Sequence, residues 1–341
     1  MSKEHYIIPI FVPHEGCPHN CVFCNQDRIT GVKDRVDAEK VKNIIEEYYE
    51  TIENKDAIIE VSFFGGTFTA IREEKQRELL KVAKAYKDRG IVKKIRMSTR
   101  PDYINDYILS YLKEYSVDII ELGIQSLDDE VLVAAGRGHT VLDAINASRL
   151  IKEYGITLGH QLMPGLPKSN PEKDIKSAMD SLKMEPDIVR IYPSLVIKDT
   201  PMEKMYLRGD YTPYTLEKAV EVSKEIYSIF NEAGVNVIRI GLQPTDTINT
   251  GKDIVDGPFH PAFRELVESS LIIDKIRDEI SKDEVCTILI NNKDLSKLYA
   301  NKKIYFNKLK DEGYNLKVKV EDNINRGTII IKGKYEKKIM I

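Results

Sequence analysis

Cysteine is scarce in this chain, and it has neither long apolar runs nor an excess of one charge. Four cysteines occur in 341 residues, three of them between positions 17 and 24. That number and spacing exclude a secreted disulfide scaffold. No apolar run approaches the roughly 20 residues that a membrane-spanning helix needs, so no membrane segment is expected. The opening Met1-Ser2-Lys3-Glu4-His5-Tyr6 carries an acidic residue and no long apolar stretch. This argues against a secretory signal and for a cytoplasmic protein. Lys and Arg number 51 against 54 Asp and Glu, a net charge of −3, so overall charge demands no polyanionic partner.

The composition, 42% hydrophobic and 31% charged, suits a soluble globular protein. The length allows one large domain and a smaller one, with a core that needs no disulfide staple. Charge is unevenly spread. Residues 285–341 hold 13 Lys and Arg against 6 Asp and Glu, a net of +7, which leaves −10 for the rest of a chain whose total is −3. A small Lys-rich domain with a solvated surface accounts for this, as does a tail that touches an anionic partner such as RNA.

Short apolar, β-rich runs alternate with longer helical patterns. The runs are 6–12, 58–64, 93–99, 118–124, 157–163, 187–192 and 235–240, and many read as apolar on both faces, as buried parallel strands do. Between them Val41, Ile44, Ile45, Tyr48, Tyr49 and Ile52 recur at helix spacing, as do Leu79, Leu80, Ala83 and Tyr86; further helices are expected over 104–115, 141–154, 171–184 and 214–233. Gly90, Gly155 and Gly234 stand where helices close. Such alternation means a parallel sheet flanked by helices. A closed eight-fold barrel usually takes about 250 residues. Here a similar length supplies only about seven strands. The fold expected is therefore α/β, a partial, open TIM-type (β/α)6–7 barrel with a small C-terminal α/β appendage; a flat doubly wound sheet is the alternative. The chemistry belongs at the C-terminal ends of the strands in either case. The expected division is a core barrel over 1–245, a linker and helix over 246–284, and a small basic α/β domain over 285–341. The stretch from Gly241 to Pro258 reads as a loop leading out of the barrel.

The first strand ends in Pro13-His14-Glu15-Gly16-Cys17-Pro18-His19-Asn20-Cys21-Val22-Phe23-Cys24. Three thiols at C-x3-C-x2-C can wrap one small inorganic group. A structural zinc would take four ligands, with His14 or His19 completing the set. A [4Fe–4S] cluster normally takes four cysteines; with Cys17, Cys21 and Cys24 alone, one iron keeps an open position. Cys286, far off in an expected strand, reads as an ordinary buried cysteine.

The trio, with the aromatic Phe23 just before its last cysteine, resembles the signature of radical S-adenosylmethionine (SAM) enzymes, and the resemblance spans about 6–243. It implies that the three cysteines hold three irons while SAM chelates the fourth. The reduced cluster then passes one electron to the sulfonium and releases a 5′-deoxyadenosyl radical, which abstracts hydrogen from the substrate. It also implies an external electron donor such as flavodoxin or ferredoxin.

Other strand ends extend the resemblance. Gly65-Gly66-Thr67 follows the second strand, and paired glycines let backbone approach a ligand, although a plain turn uses them too. Ser98-Thr99-Arg100-Pro101-Asp102 ends the third, Gly123-Ile124-Gln125-Ser126 the fourth, and His160-Gln161-Leu162-Met163-Pro164-Gly165 the fifth. Gly136-Arg137-Gly138-His139-Thr140 follows the fourth; its Arg suits a carboxylate in fork geometry, or caps a helix at the surface. These strings resemble oxygen-independent coproporphyrinogen oxidase-like proteins, and more closely the radical SAM core of the Elongator catalytic subunit. In the porphyrinogen enzymes the positions matching Gly66, Thr67, Gln125, Arg137 and Gln161 contact SAM. Phe23, Gly65, Ser98, Arg100 and Ser126 stand beside them as candidate cofactor contacts. His139 and His160 at the rims are candidates for substrate contact, and Tyr192 for lining the cavity. No catalytic residue is assigned.

The Elongator subunit spaces its first two cysteines further apart and continues into an acetyltransferase domain, for which this chain shows no Gly-rich pyrophosphate loop. An acetyl-CoA-dependent reaction is therefore not expected. The expected activity is SAM cleavage serving tRNA base modification, with phosphate contacts from the basic tail. A small-molecule or porphyrin-type reaction is the alternative enzyme, and a non-catalytic iron–sulfur binding or sensing protein is the alternative outside catalysis.

Overall fold

A computed structural model of the chain describes residues 4–12, 17, 19–25, 35–245, 248–249 and 251–341. Seven strands form one sheet: β1 (His5–Phe11), β2 (Ile58–Phe64), β3 (Lys94–Thr99), β4 (Ile119–Gln125), β5 (Thr157–Leu162), β6 (Ile188–Ile191) and β8 (Asn236–Ile240). All neighbours pair in parallel. The order is β1-β2-β3-β4-β5-β6-β8, with β1 and β8 at the two edges. The barrel is thus open, the half-barrel anticipated from the strand–helix alternation, and not a flat doubly wound sheet.

Helices follow the strands: α1 (Ala38–Thr51), α2 (Glu73–Asp88), α3 (Asp106–Glu114), α4 (Asp129–Ala134), α5 (Val141–Glu153), α6 (Pro171–Leu182), α7 (Pro201–Arg208) and α8 (Leu216–Glu232). Their starts are written in capping residues. Asp37, Asn105, Asp128, Asn170 and Thr200 each accept a backbone N–H of the first turn, and Thr140 forms a full capping box with Asp143. Strand ends and helix starts therefore share one rim.

The two faces of the sheet differ in chemistry. Ile59, Val61 and Phe63 of β2, Ile95 and Met97 of β3, Ile120 and Leu122 of β4, and Val189 and Ile191 of β6 are fully buried on one face. His160 shares this face on β5 and lies 3.0 Å from the Ser148 hydroxyl of α5 and 2.7 Å from that of Ser181 of α6, so it is the helix-covered face. The opposite, inward face carries Glu60, Ser62, Arg96, Ser98, Glu121, Gln161 and Arg190 at alternate positions. Runs that read as apolar on both faces are in fact apolar on one and polar on the other. The polar side chains satisfy one another, and so tolerate burial.

The stretch after Gly241 is more ordered than the expected loop. Within it β9 (Ile254–Asp256) pairs antiparallel with β7 (Val196–Ile197), and Ile248 packs with Leu195 and Ile197. The driving force is a small apolar cluster that turn-rich composition conceals.

The chain divides into two compact units, Met1–Thr215 with Ile226–Phe259, and Leu216–Glu225 with His260–Ile341. Residues 248–259, expected in a linker, thus go with the first unit and 260–284 with the second. The second unit has a four-stranded sheet in the order β11-β10-β12-β13, from β10 (Val285–Ile290), β11 (Asn315–Val320), β12 (Thr328–Lys332) and β13 (Glu336–Met340). Helices α9 (Phe263–Glu279), α10 (Leu295–Leu298) and α11 (Ala300–Asp311) belong to this unit. Ile272, Ile273 and Ile276 of α9 share a core with Ile288, Ile329, Phe306 and Cys286. Cys286 is the buried core cysteine anticipated. Among the described residues no helix is long and apolar enough to cross a membrane.

Candidate functional site

The inward face of the half-barrel is tied by a buried ionic network centred on Glu121. Arg96 donates from Nη1 to Glu121 at 2.7 Å and from Nη2 to Glu60 at 3.0 Å. Arg190 donates from Nε and Nη2 to the two oxygens of Glu121 at 2.5 and 3.0 Å, and from Nη1 to the Tyr192 hydroxyl at 3.1 Å. Gln161 Nε2 lies 3.2 Å from Glu121 and 3.3 Å from Ser98 Oγ. Burial works to raise the Glu121 pKa, but Arg190 and Arg96 more than offset it and the net direction is down. Two carboxylates and two guanidinium groups balance, so the floor of the barrel is polar yet neutral. Glu60, Arg96, Glu121 and Arg190 were not singled out from sequence. The signal was present, as alternating polar residues in β2 and β3 and a single charged residue within each of the apolar runs β4 and β6.

Above this floor the thiol loop crosses the rim. Cys17 is exposed, Cys21 buried and Cys24 half-buried. A tight turn links the last two, with Cys24 N donating to the Cys21 carbonyl at 3.0 Å. Cys21 and Phe23 sink into an apolar cluster with Val131, Ala135, Leu166 and Met202. Two backbone hydrogen bonds anchor the loop: Val22 N to the Ala135 carbonyl at 3.0 Å, and Met202 N to the Val22 carbonyl at 2.8 Å. Gly136 has φ +65°, and a Cβ there would lie 3.3 Å from the Asn20 carbonyl oxygen. Glycine is what lets the segment after α4 press against the thiol loop.

Two side chains from the rim reach thiols. The Thr67 hydroxyl lies 3.4 Å from Cys17 Sγ, and Arg137 donates from Nη1 to Cys21 Sγ at 3.3 Å. Arg137 also donates from Nη2 to the Gly123 carbonyl at 2.5 Å, and its own carbonyl accepts from Arg100. Arg100 is aligned by a two-pronged pair with Asp102, both contacts at 2.9 Å. A Cβ at Gly123 would lie 3.0 Å from Gln125 Nε2 and 3.4 Å from Arg137 Nη2, so these three residues converge. Gln125 itself has φ +68°, a strained value for a side chain with a Cβ, at an irregularity in the β4–β5 register. Gly65, with φ +104°, brings the end of β2 against Val12 at the end of β1.

The structure thus brings Gly65, Thr67, Arg100, Gln125 and Arg137 to the rim near the thiols, with Gly66 between Gly65 and Thr67. Ser98 and Gln161 join the floor instead. Ser126 is engaged elsewhere: its hydroxyl lies 3.3 Å from that of Ser177 on α6 and accepts from Asp128 N at 3.3 Å.

The histidines separate in the same way. His160 does not reach the cavity. It is fully buried between Ser148 and Ser181, and desolvation, with Lys152 adding a little, lowers its pKa to about 3. His139 is also buried, and neither ring nitrogen has a hydrogen-bond partner among the described residues. Burial first, then Arg137 and Arg100, pulls it to about 3, so it stays neutral. The His19 ring packs on Gly138, where a Cβ would overlap it. His14 lies outside the described residues. Among the described residues no three His, Cys, Asp or Glu side chains gather as ligands of one metal ion. The loop carries the three thiols, with the buried guanidinium of Arg137 beside Cys21. The chemistry of these donors suits an anionic, thiolate-ligated group.

The chain is similar to known proteins in sequence and in fold. The chain is 28% identical over 302 residues to the tRNA uridine(34) acetyltransferase of Methanocaldococcus jannaschii, covering 76% of this chain and 54% of that protein. It is 29% identical over 191 residues to Elongator complex protein 3 of Mus musculus, covering 50% of this chain and 35% of that protein. The solved archaeal Methanocaldococcus infernus Elp3 with an N-terminal deletion superposes with a TM-score of 0.63 at 26% identity, over 81% of this chain and 64% of that one. The chain spans about half or less of the length of the two curated relatives. The "Radical_SAM C-terminal domain" description matches residues 186–272. Residues 11–182, half of the chain and including the thiol loop and strands β2 to β5 of the half-barrel, match the family described as "Radical SAM superfamily", and the chain belongs to that superfamily.

Proposed function

We propose that this chain is an enzyme that cleaves SAM reductively at a [4Fe–4S] cluster held by Cys17, Cys21 and Cys24, and that it serves the modification of a tRNA base. Membership of the superfamily brings SAM and an iron–sulfur cluster as cofactors. The cubane type, the open iron, an electron donor of the flavodoxin or ferredoxin kind and a cytoplasmic setting are part of this proposal. The observation that carries it is a three-thiol loop anchored at the C-terminal rim of an open barrel, where Thr67 lies against Cys17 and Arg137, beside Gln125, reaches Cys21. When bound and reduced, such a cluster supplies the electron that splits SAM into methionine and a 5′-deoxyadenosyl radical.

The chain's own residues have separable tasks. Phe23 and Gly136 fix the loop. Gly65 lets the rim approach closely, with Gly66 and Thr67 following it. Arg137 and Gln125 present hydrogen-bond donors to an anionic or polar ligand. The floor network holds Gln161 by its amide nitrogen and leaves the carbonyl oxygen as an acceptor. Ser98 braces that nitrogen. The tRNA assignment draws on the named activity of the archaeal relative and on the basic stretch 285–341.

Anaerobic reconstitution with iron and sulfide, followed by reduction and SAM, is expected to yield 5′-deoxyadenosine, and Cys21→Ala is expected to abolish it. Zinc on the thiols, with no cubane signal in Mössbauer spectra, overturns the proposal. Retention of tRNA at low salt, weakening steeply as salt rises, is expected. No retention at low salt removes the tRNA assignment and leaves SAM cleavage standing.

A further inference from the structure

The family resemblance assigns Thr67 and Arg137 to SAM, but in this structure both also touch cysteine sulfurs. We infer that Thr67 and Arg137 are donors to the Cys17 and Cys21 thiolates that raise the reduction potential of the cluster those thiolates hold. The inference rests on the proposed function above, since it needs the cluster. Both act through the thiolates and are positioning residues rather than catalytic ones.

Three observations carry it. The first is contact: Thr67 Oγ1 is 3.4 Å from Cys17 Sγ and Arg137 Nη1 is 3.3 Å from Cys21 Sγ, within reach of a sulfur acceptor. Cys17 thus has a donor from the turn after β2, and Cys21 one from the turn after α4. The second is charge. Arg137 is only 6% exposed, no carboxylate pairs with it among the described residues, and its Nε has no partner there. A buried cation without an anion is costly, and the acceptor in contact is the Cys21 sulfur, which carries negative charge once it ligates the cluster. The third is rigidity. Arg137 is held by the Gly123 carbonyl at Nη2, by Arg100 at its main-chain carbonyl, and by Gly136 seated against Asn20 beside Cys21. Thr67 does not spend its hydroxyl capping the turn that follows it.

The sign follows from charge. Adding one electron makes and breaks no bond, and it increases the negative charge shared by the thiolate sulfurs. An N–H or O–H donor, and above all a nearby cation, stabilises that reduced form and raises the potential. Cys21 is buried and Cys17 exposed. Arg137 therefore acts in the lower dielectric and has the larger effect.

The test is a redox titration followed by electron paramagnetic resonance on reconstituted full-length protein without SAM, with dithionite as the one-electron reductant. Iron and sulfide are counted in each variant. Arg137→Gln is expected to lower the reduction equilibrium by about tenfold or more, which is about 59 mV for a one-electron couple. Arg137→Lys should fall between it and the wild type, and Thr67→Val should shift the midpoint by less in the same direction. Equal cluster content with unmoved midpoints overturns the inference and leaves the proposed function intact. A wild type that takes up no cluster overturns both. Should Arg137→Gln fail to hold a cluster, Thr67→Val decides alone, and an unchanged midpoint in it is the refuting result.

Discussion

Arg137 and Glu121 show how differently a buried charge is handled on the two levels of this barrel. At the floor, Glu121 meets two guanidinium groups. Removing its charge with Glu121→Leu strands Arg190 and half of the Arg96 fork, and the expected loss is about 3–5 kcal/mol of stability, read from urea midpoints. At the rim the constraint is backbone shape. Gly136→Ala puts a Cβ 3.3 Å from the Asn20 carbonyl oxygen at φ +65°. The expected cost is about 1–2 kcal/mol, together with reduced iron uptake, because the same contact braces the thiol loop. Unchanged iron content in a destabilised Gly136→Ala protein would separate the brace from the thiols.

Helices α5 and α6 meet β5 through His160, and this joint makes stability pH-dependent. The ring keeps its proton off down to about 3, against an ordinary value of 6.5. Between these values the unfolded chain binds one proton more than the folded one, so stability rises with pH across that window. Acidification from pH 6.5 should therefore lower the unfolding free energy by up to about 1.4 kcal/mol per pH unit from this residue, and His139 adds to it in the same direction. His160→Asn is expected to flatten the profile over that range, compared by denaturant unfolding at a series of pH values. An identical slope would show that the buried ring is not what titrates.

For the molecule as a whole, the second unit sets how RNA binding can be tested. Cutting the chain at Val285 would leave α9 behind with Ile272, Ile273 and Ile276, all buried, without their sheet, so truncation would report misfolding as readily as weakened binding. The lysines on the exposed face of the sheet are the better probe. Lys317, Lys319, Lys332 and Lys338 are exposed and alternate with the core-facing Leu316, Val318, Ile331 and Ile339. Lys319 and Lys332 pair only with surface carboxylates, Glu321 and Glu336, interactions worth little. Changing all four to Gln is expected to weaken tRNA retention with no change in SAM cleavage. The salt slope should fall by about 0.9 for each phosphate that is no longer neutralised. An unaltered slope would place the RNA-binding surface elsewhere.

Periodicity and local chemistry were enough to read the parallel strands, the glycines that close helices, the open barrel and the three thiols, because each is built from patterns within short segments. The strand β13, with its run of charged residues, and the β7–β9 pair escaped that reading, since their pairing depends on partners distant in the chain. So did the side to which each polar strand residue turns. His160 was placed at the rim from its position at a strand end, yet the pleat sends it under the helices, while Glu60, Arg96, Glu121 and Arg190, drawn from separate strands, meet on the other face. Three-dimensional closure alone could also bring Thr67 and Arg137, 50 and 116 residues from their cysteines, within hydrogen-bond reach of sulfur. The physical reason is one of range: propensity and hydrophobic period act over a few residues, whereas the neutralisation of a buried charge requires a partner that only the folded sheet delivers.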